Sequence, residues 1–200
     1  MTTIDGMLEP IETRSARVAR RVSPWQLGLA ILVFVLPFAS VSCATPRGYG
    51  SGGGGITAKY SGVSLAFGGN PTVEAAGGAP APGPLSAEDA IPGQIAVTVA
   101  LALTVAAFAI SVARPGRLEA LVALPALAVI GLIVGVAGFD SWLTIRIVQR
   151  LESLNVAPQQ GFPPEEYVRP DLGFAAAVLL LVVTLLLNGF ALLRRRRSGA

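Results

Sequence analysis

Three groups of residues in this chain are of types that can do chemistry, and each lacks the partners that its chemistry needs. The chain's one cysteine, Cys43, closes the run Ala39-Ser40-Val41-Ser42-Cys43, which follows a basic segment and an apolar stretch. That order is compatible with a lipobox, in which a peptidase cuts before the cysteine and the thiol carries a lipid. Against this, Ser40 stands where leucine is usual, Pro37 interrupts the apolar run, and a long leader with acidic residues comes first. The plainer expectation is a retained cysteine at a membrane interface, packed under the loop that follows. The second group is the adjacent carboxylates Glu88-Asp89 and Glu165-Glu166. Neighbouring residues on a helix do not face one point, and no basic or nucleophilic motif stands beside them, so solvated charge is expected. The third is the glycine run 52–55, which lacks the Lys-Ser/Thr of a phosphate-binding loop and reads as linker. The chain has no histidine, which removes the commonest zinc and haem ligand and the usual general base near neutral pH. No catalytic, metal or cofactor site is expected.

The elements that would have to position any site are set by a composition too apolar for a soluble fold. Apolar residues make up 52% and charged residues 14% of the chain, where a soluble domain carries roughly a quarter charged residues. The net charge is +3, yet its placement argues against a nucleic-acid partner. Ten of the fifteen Lys and Arg residues lie in three short clusters beside apolar runs, the pattern that orients membrane helices. The predicted order is a cytosolic basic segment 1–22, a transmembrane helix 23–43, an outer Gly/Pro-rich loop 44–93, and a second span 94–113. A cytosolic turn 114–117, a third span 118–139, an outer segment 140–171, a fourth span 172–193 and an Arg-rich tail 194–200 follow. Ser23-Pro24 reads as an N-cap and first helical residue. Within the first outer loop, Ile56, Ala58 and Tyr60 alternate one way and Val63, Leu65 and Phe67 the other, which predicts two short strands turning at Ser61-Gly62. Residues 141–155 repeat Leu143, Ile147, Leu151 and Leu154 at helical spacing and predict an amphipathic helix, which could continue the third span.

The fold class expected is therefore all-α membrane, a bundle of four transmembrane helices under a small extracytoplasmic cap made of a β-hairpin and an amphipathic helix. Both termini fall in the cytosol by the positive-inside rule. Inside the spans the polar residues are few: Thr98, Thr104, Ser111, Thr184 and Asn188, with Glu119 at a boundary. Pumps and ion-coupled transporters keep charged groups on their pathway, so transport by this chain alone is disfavoured. Residues 194–197 could bind anionic lipid headgroups or simply anchor the topology.

Around Leu36-Pro37-Phe38-Ala39-Ser40-Val41-Ser42-Cys43 and Tyr60-Ser61-Gly62-Val63-Ser64-Leu65-Ala66-Phe67-Gly68-Gly69, the chain resembles a group of small bacterial multi-span membrane proteins. In that group a Pro-Phe-x-Ser-Val-Ser-Cys segment ends the first helix. Pro46-Arg47-Gly48-Tyr49-Gly50 is similar to actinobacterial members. The resemblance covers about residues 25–72; it implies a bacterial plasma membrane and carries no activity or site residues.

One motif remains. The third span carries Gly131-x-x-x-Gly135, flanked by Ala128 and Gly138, and small residues at this spacing let helix backbones approach closely in lipid. The face is either consumed against the second span or left for another protein or a second copy. The function expected is a non-catalytic accessory or structural subunit, whose partners are membrane lipids and other membrane proteins or itself. The alternative is a channel, transporter or enzyme component whose site a partner completes.

Overall fold

A computed structural model of the chain describes residues 9–44, 55–75, 91–114, 117–153 and 168–198. Five helices, α1 (Glu9–Val33), α2 (Gly62–Phe67), α3 (Ile95–Ala113), α4 (Leu118–Ser153) and α5 (Leu172–Ser198), alternate with four strands, β1 (Pro37–Ala44), β2 (Gly55–Ser61), β3 (Thr72–Ala75) and β4 (Val168–Pro170). The long helices form a ring in which α1 and α4 each pack against both α3 and α5. Buried positions recur three and four residues apart: Val97, Ala100, Thr104, Ala107 and Ser111 on α3, and Leu121, Pro125, Ala128, Leu132, Gly135 and Phe139 on α4. On α5 they are Ala177, Leu181, Thr184, Asn188 and Ala191. A 3–4 repeat on facing helices is the spacing of knobs-into-holes packing at shallow crossing angles.

Among the described residues, three helices are long and apolar enough to cross a membrane: Ile95–Ala113, Leu118–Ile145 and Leu172–Arg194. Only 28% of the residues in each apolar stretch are buried inside the molecule. The rest present Val99, Val105, Leu127, Ile130, Ile133, Leu179 and Leu186 outward, an apolar surface far beyond what water tolerates on a soluble monomer. The buried polar residues Thr104, Ser111, Thr184 and Asn188 lie inside among Ala, Leu and Phe, and the outward positions are mostly branched apolar ones, the arrangement a hydrocarbon solvent selects.

The first of the four expected spans is not among these three helices. The expected helix 23–43 stops at Val33, and residues 37–44 form strand β1 instead. Proline fixes the break: it disfavours helical backbone at the residue before it and donates no hydrogen bond. The last turn tightens as Phe34, Val35 and Leu36 donate to the carbonyls of Ile31, Leu32 and Val33, a 3₁₀-like closure of the helix end. The uncharged helical stretch 22–33 is thus about 18 Å long, short of the roughly 30 Å hydrocarbon core. The other end of α1 differs too. Ser23 is not an N-cap, because the helix begins at Glu9 and runs through Pro24.

β1 becomes an inner strand of an antiparallel sheet ordered β3-β2-β1-β4, with Val41 opposite Ala58 of β2 and Val168 of β4. The expected hairpin within 56–67 is half present. Residues 55–61 are a strand, but 62–67 are the short helix α2. Ser61 decides this by capping α2, its Oγ accepting from the Ser64 N–H at 3.1 Å; a capped first turn outcompetes an edge strand. The amphipathic segment after Phe139 is not separate, since α4 continues unbroken to Ser153. The paired carboxylates 88–89 and 165–166 and glycines 52–54 lie outside the described residues.

Candidate functional site

Two seams in the bundle hold the chemistry this molecule has. The first joins α1 to α5. Ser23 and Asn188 are both buried and bond reciprocally: the Asn188 amide donates to Ser23 Oγ at 3.0 Å, and the Ser23 hydroxyl donates to Asn188 Oδ1 at 3.3 Å. The Asn188 amide also donates to the Thr184 carbonyl at 2.8 Å. One turn along each helix, the Thr184 hydroxyl reaches Gln26 Oε1 at 3.3 Å and the Leu180 carbonyl at 2.8 Å. Spacings of three on α1 and four on α5 bring these four side chains into one line. On α3, the buried hydroxyls of Thr104 and Ser111 turn back onto the carbonyls of Ala100 and Phe108. Every one of these polar groups inside the bundle has a protein partner, so the seam is glue between helices and not a lined path. Asn188 stood out in the sequence as a polar residue in a span. Its partner did not, because Ser23 has the type and context of a helix cap.

The second seam joins α3 to α4 and absorbs the glycine motif. A Cβ on Gly131 would lie 3.1 Å from both the Ala100 Cβ and the Ala96 carbonyl oxygen, and one on Gly135 would overlap the Val97 side chain. Ala128 is buried on the same side. Gly138 is exposed, with only the Gln94 side chain within ordinary contact of an added Cβ. Gly131 and Gly135 therefore serve the close approach of α3 and α4.

Cys43 sits in β1 with its backbone opposite Ile56. The segment before it is built into the molecule: Leu27, Ala30, Phe34 and Phe38 are buried in the common core. Phe38 packs against Phe34 with the rings tilted and centroids 4.9 Å apart, and meets Phe174 edge-on. Cutting before Cys43 would strip α1 out of the bundle and one strand out of the sheet.

At the sheet end of the bundle the Lys59 ammonium meets Glu74 Oε2 at 2.7 Å across β2 and β3. The hydrogen bond to that carboxylate raises the Lys59 pKa above its ordinary value. Close to the same end, Asp140 on α4 holds the one buried side-chain oxygen, Oδ1, without a hydrogen-bond partner among the described residues. The sequence reading places this residue just beyond the third span, yet it lies within the apolar helix Leu118–Ile145. Glu119 and Asp140 are separated by about 32 Å of helix, so the two carboxylates bracket one hydrocarbon thickness. At the opposite end Arg196 pairs with Glu119 at 3.3 Å, and the Arg194 guanidinium lies 4.3 Å from the Phe190 ring centroid. Arg21, Arg114, Arg117 and Arg197 are exposed at this end as well.

No protein-family model matches the chain, and no curated protein is significantly similar to it.

Proposed function

We propose that the chain is a non-catalytic protein of a bacterial plasma membrane that crosses it four times, with both termini in the cytosol, and acts as a structural or accessory subunit. The observation that carries this reading is the sorting of side chains. The buried Ser, Thr and Asn side chains of the long helices are hydrogen-bonded inside, among Ala, Leu and Phe, while further Leu, Ile and Val face outward on every long helix. Such an interior is held together by packing and shared hydrogen bonds, and among the described residues of α3, α4 and α5 no ionisable group lies between the levels of Glu119 and Asp140. Orientation is supported by the arginines at the α3–α4 turn and the end of α5, which gather at one end of the bundle. The first of the four crossings is the composite one, with α1 supplying its inner part.

Asp140 favours a second reading, in which a partner completes a channel or enzyme component. Its orphan oxygen is a costly feature unless something satisfies it. The test is mild crosslinking in native membranes, then gentle extraction of a tagged chain. A stoichiometric membrane-protein partner is expected, retained in an Asp140→Asn variant. Loss of that partner in the variant favours the second reading. A chain recovered alone overturns the accessory role.

A further inference from the structure

We infer that α2 is a membrane-inserted wedge that completes the first crossing by burying Val63 and Phe67 among the lipid acyl chains. The inference rests on the membrane reading above and goes beyond it, since α2 lies in a segment the sequence places wholly outside the bilayer.

Three observations meet on this six-residue helix. The first is depth. The Ala66 carbonyl accepts from the Thr98 hydroxyl, and the Leu65 carbonyl accepts from the Gln94 N–H at 2.6 Å. The Thr98 hydroxyl also reaches back to the Gln94 carbonyl at 3.2 Å, so the end of α2 lies level with the start of that span, at its outer boundary. The second is what α2 exposes. Gly62, Leu65 and Ala66 are buried against the protein, while Val63 and Phe67, one turn apart on the opposite face, are 39% and 66% exposed. Beside them the end of α1 exposes Leu32, Val35 and Leu36, and α3 exposes Ile95 and Val99. The patch thus continues the apolar girdle of the long helices without a break.

The third is the backbone. Gly62 and Val63 donate to the Leu36 and Phe34 carbonyls, at 3.2 and 2.9 Å, and Ser64 donates to Ser61 Oγ. The N-terminus of α2 thereby satisfies the freed carbonyls at the end of α1, and its own last carbonyls are taken by α3. A helix this short, beside a chain break, survives at membrane depth only if protein groups replace water at both ends. Gly62 makes the fit possible, because a Cβ there would lie 2.9 Å from both the Phe34 carbonyl oxygen and the Phe38 ring.

The experiment places a single environment-sensitive fluorophore on cysteines introduced by Val63→Cys or Phe67→Cys in a Cys43→Ser chain. Ile130→Cys serves as a mid-span control and Thr72→Cys as a cap control. The proteins are reconstituted at low density in phosphatidylcholine–phosphatidylglycerol vesicles. Quenching is read with lipids spin-labelled near the headgroup or near the acyl terminus, and with aqueous iodide. At 63 and 67 the largest loss of emission is expected from the headgroup-proximal acyl label, with little loss to iodide. Loss to iodide at 63 and 67, with Ile130 quenched by lipid, overturns the wedge alone. Protection from both quenchers shows that protein covers the face and overturns it as well. Failure of lipid to quench at Ile130 overturns the membrane reading itself.

Discussion

Asn188 and Ser23 show how a single pair can hold two helices where hydrophobicity cannot. In lipid an apolar side chain gains little by leaving acyl chains for another helix, so the reciprocal hydrogen bond carries proportionately more of the association. Asn188→Ala should lower stability by about 0.6–1.7 kcal/mol, the span measured for such bonds in membrane bundles. Ser23→Ala should cost less once Asn188 is gone than when it is present, and that coupling is readable from a double-mutant cycle of unfolding in mixed micelles. Additive losses would mean the two side chains do not share the bond. The ion pair Lys59–Glu74 is a different case, exposed and screened. Because the carboxylate raises the Lys59 pKa, the pair's contribution is fully present below the unfolded lysine value of about 10.4. It is lost as pH rises through the folded value. The melting temperature should therefore fall at strongly alkaline pH by slightly more in the native chain than in Glu74→Gln. Equal falls would show the pair to be energetically silent.

At the scale of elements, glycines set how closely helices and strands approach. Gly135→Ala should be destabilising by about 1–3 kcal/mol, the usual cost of overpacking, because its Cβ would enter the space of Val97. Gly189→Ala is the opposite case. Nothing lies within 4 Å of an added Cβ there, so the intrinsic preference for alanine in a helix, up to about 1 kcal/mol, should show as stabilisation. Melting of the two variants in one detergent separates them, and similar values would mean that the α3–α4 contact is looser than drawn. The same elements show what the sequence could yield. The later three spans were legible because each is a long apolar run ended by turn residues or charges, and their periodicity needs no partner. The first was not, because strand or helix over 37–44 depends on whether residues 55–61 and 168–170 arrive to pair with it, a contact no local pattern announces. Pro37 was visible and marked the break. What lay beyond it was decided by tertiary pairing. Ser61 was likewise read as a turn when its hydroxyl caps a helix, and the polar seam stayed hidden because it joins residues 165 positions apart.

The whole molecule is polarised along the bundle axis. One end carries the sheet, the Tyr60–Phe139 edge-on pair at 5.1 Å and the partly stacked Phe139–Trp142 rings. The other end carries the exposed arginines and Trp25, which is 82% exposed, as an indole at a headgroup boundary would be. Each arginine facing an anionic leaflet is favoured by about 1 kcal/mol, so several at one end leave little freedom in how the bundle inserts. The orientation is therefore testable at two positions that are exposed and distant from both seams. In a Cys43→Ser background, Thr72→Cys on the sheet should react with a membrane-impermeant thiol reagent in intact cells. Arg197→Cys should react only after the membrane is opened. Because each substitution stands alone, losing one arginine of the cluster leaves the charge bias in place, and Thr72→Cys leaves it untouched. Labelling of Arg197→Cys in intact cells, with Thr72→Cys protected, would invert the molecule and put the sheet in the cytosol. Labelling of both would put the two positions on one side, which requires an even number of crossings between them, so one of α3, α4 and α5 would have to be discarded as a span; α1 precedes both positions and leaves their relation unchanged.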